Sequence, residues 1–358
     1  MRIALLVPEM EMGGVEQGTA DLAIGFRRRG HSVWILCAGG RMLPPLQGEG
    51  VRWVPVPFHL KSPFAIAYST MKVRLFCARV RPHILHARSR VPAWAAYLAS
   101  RGFPDIHFIT GFHSFYNRHW PSRILGKGER VIAISNAVAR EAVAHFGAGR
   151  RVRVVYNGVF IGKIQRVPDE RQVRLGVLGR LTEGKGFDKF LAIFGSLCAQ
   201  GVPVRATIGI GTSGSVGERS KLDRYAQAIR AAGLADRVTL LLNPSRESFF
   251  SQVDVYVAPV TVPEGFGRTI VEAQRCGIPV VATDIGAFPE IVRNNETGFL
   301  VKPAVADFVC ALLKLVNDPS VRSAMGEQAR AWISARFTVD RMVEETLAVY
   351  REVAGEAR

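Results

Sequence analysis

Short apolar runs rich in β-branched residues alternate with stretches of helical periodicity along almost the whole chain. In the first half, runs at 3–7, 32–37, 51–55, 84–86, 106–110, 130–134 and 152–156 read as strands, and helices are expected over 14–29, 62–79, 92–100 and 136–146. The stretch 159–171 has no clear period and carries Lys163, Arg166, Pro168 and Asp169, so it reads as a linker. The alternation then restarts, with strands at 174–178, 205–210, 238–242, 255–258 and 279–283 and helices over 187–200, 218–232, 247–252 and 269–276. Three helical stretches close the chain, at 305–317, 321–336 and 339–353. Repeated strand–helix alternation predicts parallel, doubly wound sheets, and the restart predicts two of them. The expected fold class is therefore α/β, two Rossmann-like domains facing a central cleft. No internal period of the length seen in solenoids is present.

Doubly wound sheets bind ligands beyond the carboxyl ends of their strands, so the chemistry is sought in the loops that follow strands. One such loop runs Pro263-Glu264-Gly265-Phe266-Gly267-Arg268-Thr269-Ile270-Val271-Glu272 and spaces two carboxylates eight residues apart. A helix starting near Gly267 would leave Glu264 in the loop and carry Glu272 within the helix. The N–H groups of Gly267, Arg268 and Thr269 would then face an anion, where the helix dipole favours negative charge. A sugar nucleotide fits this arrangement, with its diphosphate on the amides and its hydroxyls on the carboxylates. Spacing alone favours two ordinary surface glutamates, and the rest of the chain must shift that balance.

The loop Gly179-Arg180-Leu181-Thr182-Glu183-Gly184-Lys185-Gly186 adds two cations beside glycines that admit close backbone approach, a pairing suited to a diphosphate. Gly13 and Gly14 follow the first strand and open a helix, so their amides can face a phosphate, although a plain turn there also uses glycine. His113 follows Thr110-Gly111-Phe112, a position that suits a sugar hydroxyl and equally an ordinary loop histidine. Ser135 and Asn136 read as helix caps. Gly209-Ile210-Gly211-Thr212-Ser213-Gly214 satisfies G-x-G-x-x-G, but no acidic residue ends a strand about 20 residues on, which argues against a dinucleotide site. No acidic cluster or His-x-x-x-His pair points to a metal.

Composition narrows the setting. Hydrophobic residues make up 48% and charged residues 22% of 358 positions, as in globular proteins, and no apolar run approaches the roughly 20 residues of a membrane span. Five scattered cysteines without a C-x-x-C pair suit a reducing cytoplasm. The net charge of +17 is concentrated early: residues 1–160 hold 22 Lys and Arg against 8 Asp and Glu. Such a basic half attracts a polyanion, either nucleic acid or the anionic face of a membrane. With 9% aromatic residues and no recognition motif, the nucleic-acid partner is not expected.

Taken together, Gly13-Gly14-Val15-Glu16, Val131 to Ser135, Tyr156-Asn157-Gly158-Val159, Leu178 to Gly186 with Asp188, and the Glu-x7-Glu block running on to Glu290 resemble the retaining GT-B glycosyltransferases of family 4. The stretches around Val7–Gln17 and His86–Trp94 are similar to bacterial lipopolysaccharide-core sugar transferases. The resemblance implies an acceptor-binding domain at 1–160, a nucleotide-sugar domain at 161–338, and a final helix, 339–358, that crosses back to the first domain. It implies that Glu272 binds the ribose, Arg180 and Lys185 the diphosphate, Glu264 the transferred sugar, that Gly14 presents an amide to phosphate, and that His113 faces the sugar. The expected activity is metal-independent transfer of a hexosyl group, with retention, from a UDP- or GDP-sugar to a lipid-linked or lipopolysaccharide-core acceptor. The enzyme is expected to be cytoplasmic and peripheral on the inner membrane face. A soluble acceptor, or a GT-B nucleotide-sugar epimerase, remains the alternative. Against the family pattern, Arg268 stands at a usually apolar position and Ala287 replaces the second glycine of a frequent pair.

Overall fold

The structure is a computed structural model that describes residues 1–11, 13–162, 164, 171–212 and 215–355. The described chain divides into two compact units, one of residues 1–158 with 337–358 and one of residues 159–336. Most of the stretch read as a linker, and Ser213 and Gly214 of the glycine-rich loop, lie outside the described residues.

The first unit is built on seven parallel strands, β1 (Arg2–Leu6), β2 (Ser32–Cys37), β3 (Arg52–Pro55), β4 (Ile84–Ala87), β5 (His107–Phe112), β6 (Arg130–Ala133) and β7 (Val152–Val154), in the order β3-β2-β1-β4-β5-β6-β7. Central strands such as β1 and β4 are buried on both faces, which is why they read as unbroken apolar runs rather than alternating ones. The edge strand β3 is largely exposed and ends in Pro55, which needs no ladder partner there. Five helices connect the strands: α1 (Gly14–Arg28), α2 (Leu43–Gly48), α3 (Pro63–Val80), α4 (Arg90–Ser100) and α5 (Asn136–Phe146). Ser62 and Ser135 cap α3 and α5, each hydroxyl accepting from the amide three residues on. Asn136 is the first residue of α5 rather than a cap, and its amide donates to the Tyr156 hydroxyl at 2.6 Å.

The second unit repeats the plan with β8 (Val173–Arg180), β9 (Val204–Gly211), β10 (Val238–Leu242), β11 (Val255–Ala258), β12 (Val280–Thr283) and β13 (Gly298–Val301), ordered β10-β9-β8-β11-β12-β13. Its helices are α6 (Phe187–Ala199), α7 (Val216–Ala231), α8 (Arg246–Phe250), α9 (Arg268–Arg275), α10 (Phe288–Ile291), α11 (Val305–Asn317) and α12 (Pro319–Arg336). Gly209 and Gly211 lie inside β9, not in a turn after it.

The last helix, α13 (Val339–Ala354), belongs to the first unit. Its buried Met342, Val343, Leu347 and Tyr350 join the apolar core of β1, β2 and α1. Gly25 on α1 makes the close approach possible, since a Cβ there would stand 2.3 Å from Val343 Cγ2. Tyr156-Asn157-Gly158 receives the start of α13: a Cβ on Gly158 would meet the Thr338 carbonyl at 2.4 Å.

Candidate functional site

Three loops at the carboxyl ends of β8, β11 and β12 converge in the second unit. The loop after β8 is fastened to the loop after β11 by the Thr261 amide, which donates to the Gly184 carbonyl at 3.1 Å. The Thr261 hydroxyl donates to the Glu183 carbonyl at 3.3 Å. Gly186 caps α6 at φ 72°, and a Cβ there would lie 2.0 Å from the Pro259 carbonyl, so only glycine lets the two loops meet. The loop after β12 supports the same place from behind: the Ala287 amide donates to the Glu264 carbonyl at 3.0 Å.

This convergence joins residues 79 apart in sequence. Lys185 Nζ donates to Glu264 Oε1 at 2.6 Å, with both side chains partly open to solvent. The cation expected at the diphosphate and the carboxylate expected at the sugar are thus paired with each other. Arg180, at the exposed end of β8, has no side-chain partner among the described residues.

Gly267 caps α9 at φ 86°, and Arg268 and Thr269 supply the first helical residues, as the sequence anticipates. Glu272, one turn further, is 4% exposed, and its carboxylate lies between two guanidinium groups. Arg246 Nε stands 2.9 Å from Oε2 and Arg268 Nε 3.4 Å from Oε1. Arg268 is therefore neither a surface residue nor aimed outward alone; its side chain folds along the helix onto Glu272 at the i,i+4 spacing.

Two residues of this cluster escape the sequence reading. Arg246 opens the short helix α8, and nothing in Arg246-Glu247-Ser248 marks it as more than a solvated helix start. Tyr256 sits in the middle of an otherwise aliphatic strand and is 2% exposed. Its hydroxyl donates to the Leu178 carbonyl at 3.2 Å and hydrogen-bonds the Thr269 side chain. Burial pushes its phenol well up, with the nearby Glu264 and Glu272 carboxylates acting in the same direction. A polar residue inside a Val-Ala strand is the one signal that singles Tyr256 out.

His113, Gly13 and Gly14 belong to the first unit. His113 follows β5, is 8% exposed, and its Nε2 has no hydrogen-bond partner among the described residues. Gly111 leaves the space its ring fills. Burial, then the charge of Arg88, hold its imidazole well below the usual range, so it is neutral at pH 7. His86 on β4 is held down in the same way and its Nδ1 meets the Tyr350 hydroxyl of α13 at 2.7 Å. Arg88 itself is 2% exposed, and burial lowers its pKa to about 10. Gly13 caps α1 in extended geometry at φ −172°, and Gly14 is the first helical residue. Gly13 thus needs no special backbone freedom.

The two sheets, each with helices on both sides of a parallel order, define a class: the chain has the GT-B fold. The family model "Glycosyl transferases group 1" matches residues 163–332, and "Glycosyltransferase Family 4" matches residues 12–161. More particularly, the chain is similar to group 1 glycosyltransferases in its second half and to family 4 glycosyltransferases in its first.

Among curated relatives, it is 32% identical over 188 residues to the lipopolysaccharide core biosynthesis mannosyltransferase LpcC of Rhizobium leguminosarum bv. viciae, covering 51% of this chain and 52% of that protein. The chain spans 52% to 59% of the length of the first curated relatives it matches. Among solved structures, a glycosyltransferase from Rickettsia africae superposes with a TM-score of 0.86 at 24% identity, covering 99% of both chains. Anabaena Alr3699/HepE in complex with UDP and glucose does so with a TM-score of 0.82 at 21% identity, again over 99% of both.

Proposed function

We propose that this chain is a retaining glycosyltransferase that moves a hexosyl group from a nucleotide-diphosphate sugar to a lipid-linked or lipopolysaccharide-core acceptor at the cytoplasmic face of a membrane. The observation that carries the reading is the joining of Lys185, Glu264 and the N-terminus of α9 by three loops at strand carboxyl ends. In this reading Arg180, Lys185 and the amides of Gly267, Arg268 and Thr269 hold the diphosphate, Glu272 takes the ribose hydroxyls, and Glu264 takes the transferred sugar. Glu272 suits ribose because a carboxylate is an acceptor-only group with about four lone-pair sites. Gly13 and Gly14 are assigned a phosphate-facing amide, and neutral His113, whose Nε2 is unsatisfied, a sugar hydroxyl.

The chemistry follows from where charge develops. As the bond from the sugar's anomeric carbon to the diphosphate breaks, negative charge gathers on the leaving oxygen, and fixed cations and amides stabilise it more in the transition state than before. The acceptor hydroxyl attacks from the same face and gives its proton to the departing phosphate oxygen. Cationic side chains meet the leaving charge, so the reading includes no divalent metal.

The LpcC relative supports a lipopolysaccharide-type acceptor, and the HepE complex with UDP supports a nucleotide-sugar donor. The basic first half supports a peripheral position on anionic lipid. No helix among the described residues is long and apolar enough to cross a membrane.

The test is nucleotide release from UDP-, GDP- and ADP-sugars, with and without lipopolysaccharide-core acceptors, in wild type and in Lys185→Ala and Glu272→Ala. Each variant is expected to lose about 100-fold or more in turnover while keeping its circular dichroism spectrum. Near-normal turnover in either would overturn the donor site. Product forming only on water-soluble acceptors, or an epimerised nucleotide sugar without acceptor, would overturn the acceptor assignment.

A further inference from the structure

Helix α3 is apolar on the wrong side. Its inward residues Val73, Phe76 and Cys77 are buried, as expected of a helix lying on a sheet. Its outward face carries Phe64 at 87% exposure, Tyr68 at 47%, Met71 at 49% and Leu75 at 48%. These positions are spaced by four, three and four residues, which lines them along one side of the helix. A surface helix normally presents charged residues there, and a helix apolar all round is ordinarily covered on both sides. Leu60, just before α3, is also exposed and extends the patch.

The charges around this stripe are of one sign. No aspartate or glutamate occurs between Glu49 and Asp105, while that interval holds nine lysines and arginines. Lys61, Arg74 and Arg79 are exposed beside the stripe, and Lys72 lies with its ammonium 5.5 Å from the Tyr68 ring centroid. Long basic side chains can lay their methylenes on apolar surface while the charged ends reach outward. An apolar stripe bordered by cations is the pattern of a helix that lies in a membrane interface, its apolar side chains among acyl chains and its cations among anionic headgroups. A nucleic acid would use the cations and leave the four apolar side chains in water.

We propose that the outward face of α3 is the surface by which this protein seats on an anionic bilayer, with Phe64, Tyr68, Met71 and Leu75 inserted and Lys61, Lys72, Arg74 and Arg79 at headgroup level. The inference rests on the peripheral-membrane reading given above and adds to it the element responsible. It makes binding depend on two separable terms, one screened by salt and one not.

Sedimentation of the full chain with vesicles tests it. Phosphatidylcholine vesicles are compared with vesicles containing about 30% phosphatidylglycerol, at low and high salt. Three proteins are compared: wild type, the variant Phe64→Ser/Met71→Ser/Leu75→Ser, and a control, Val216→Ser/Leu242→Ser, which removes exposed apolar residues from the second unit. Wild type and control are expected to bind the anionic vesicles alike, and the α3 variant to bind about tenfold or more weakly. Nucleotide release should be unchanged in detergent-solubilised acceptor for all three. A single Phe64→Trp should shift its emission to the blue on anionic vesicles. If wild type binds no vesicle, the peripheral-membrane reading falls and takes this one with it. If wild type binds and the α3 variant binds equally, or the Phe64→Trp emission stays unshifted on bound protein, the α3 assignment alone is overturned. A change from dimer to monomer in the α3 variant without vesicles would also overturn it, because the stripe would then be covered by a second copy.

Discussion

At the scale of single residues, the most informative arrangement is the carboxylate of Glu272 held between Arg246 and Arg268. A nearly buried carboxylate is tolerated because cations face it. Arg246 is nearly half exposed, so its contribution to stability is small, while its contribution to the aim of Glu272 is direct. Arg246→Ala is expected to raise KM for the nucleotide sugar about three- to tenfold with kcat within about twofold, because the loss falls on binding common to ground and transition states. Steady-state kinetics over donor concentration checks this; an equal fall in kcat would move Arg246 to the leaving-group side of the site. Glu272 is visible from the Glu-x7-Glu spacing, whereas Arg246 is not, since its partner lies 26 residues away on another element. Burial also decides cysteine chemistry at this scale. It pushes the Cys37 thiol up to about 11 and the Cys77 thiol up to about 12, leaving them poor nucleophiles in the native protein.

At the scale of elements, the site is a meeting of loops, and its precision depends on their backbones. Gly286 adopts φ 64°, and a Cβ there would stand 2.6 Å from the Glu264 carbonyl and 2.7 Å from its amide nitrogen. Ala287, which replaces a frequent glycine, sits at φ −92° and ψ 0°, a negative φ that does not require glycine. The positive φ falls one residue earlier, at Gly286, so the departure from the family pattern forces no left-handed alanine. Gly286→Ala is expected to push the Glu264 backbone aside, lower kcat/KM about tenfold or more, and cost about 1–2 kcal/mol of stability. Turnover assays with urea unfolding check both numbers, and wild-type turnover would show that Glu264 needs no such support.

Most elements are legible in the sequence because their length and apolar content exceed the noise of the pattern. Two are not. Helix α2 contains Pro44 and Pro45 within six residues and reads as a loop, although proline fits a helix's first turn. Strand β13 has four residues after a turn-like Asn294-Asn295-Glu296-Thr297, too few for a period, and gains its place only by pairing with β12.

At the scale of the whole molecule, charge and protonation set the conditions for stability. His86 and His113 are both buried and neutral in the fold, near Arg88, with Tyr350 and Tyr116 facing the same arginine. In the unfolded chain each would titrate at the ordinary 6.5, so below that pH the unfolded state binds more protons. Stability is therefore full above about pH 6.5 and falls as pH drops towards about 5. His113→Gln is expected to flatten this acid-side slope by about one proton, measured as the urea midpoint against pH. An unchanged slope would show that His113 is protonated in the native state.

The sequence by itself determined the class of architecture, because parallel strands buried on both faces must be apolar and their connecting helices must be periodic. It also marked the residues whose type and spacing carry chemistry: Arg180, Lys185, Glu264 and Glu272. Tertiary structure decided the partnerships. Lys185 meets Glu264 across 79 positions, Arg246 meets Glu272, Tyr256 reaches Thr269, and α13 joins the first unit. It also decided that the apolar face of α3 points to solvent. The physical reason is common to all of these. Periodicity records whether a residue is compatible with burial, a property of each short segment. Which loop lies against which, and which face is left uncovered, follows only from the sheet order that places distant segments side by side.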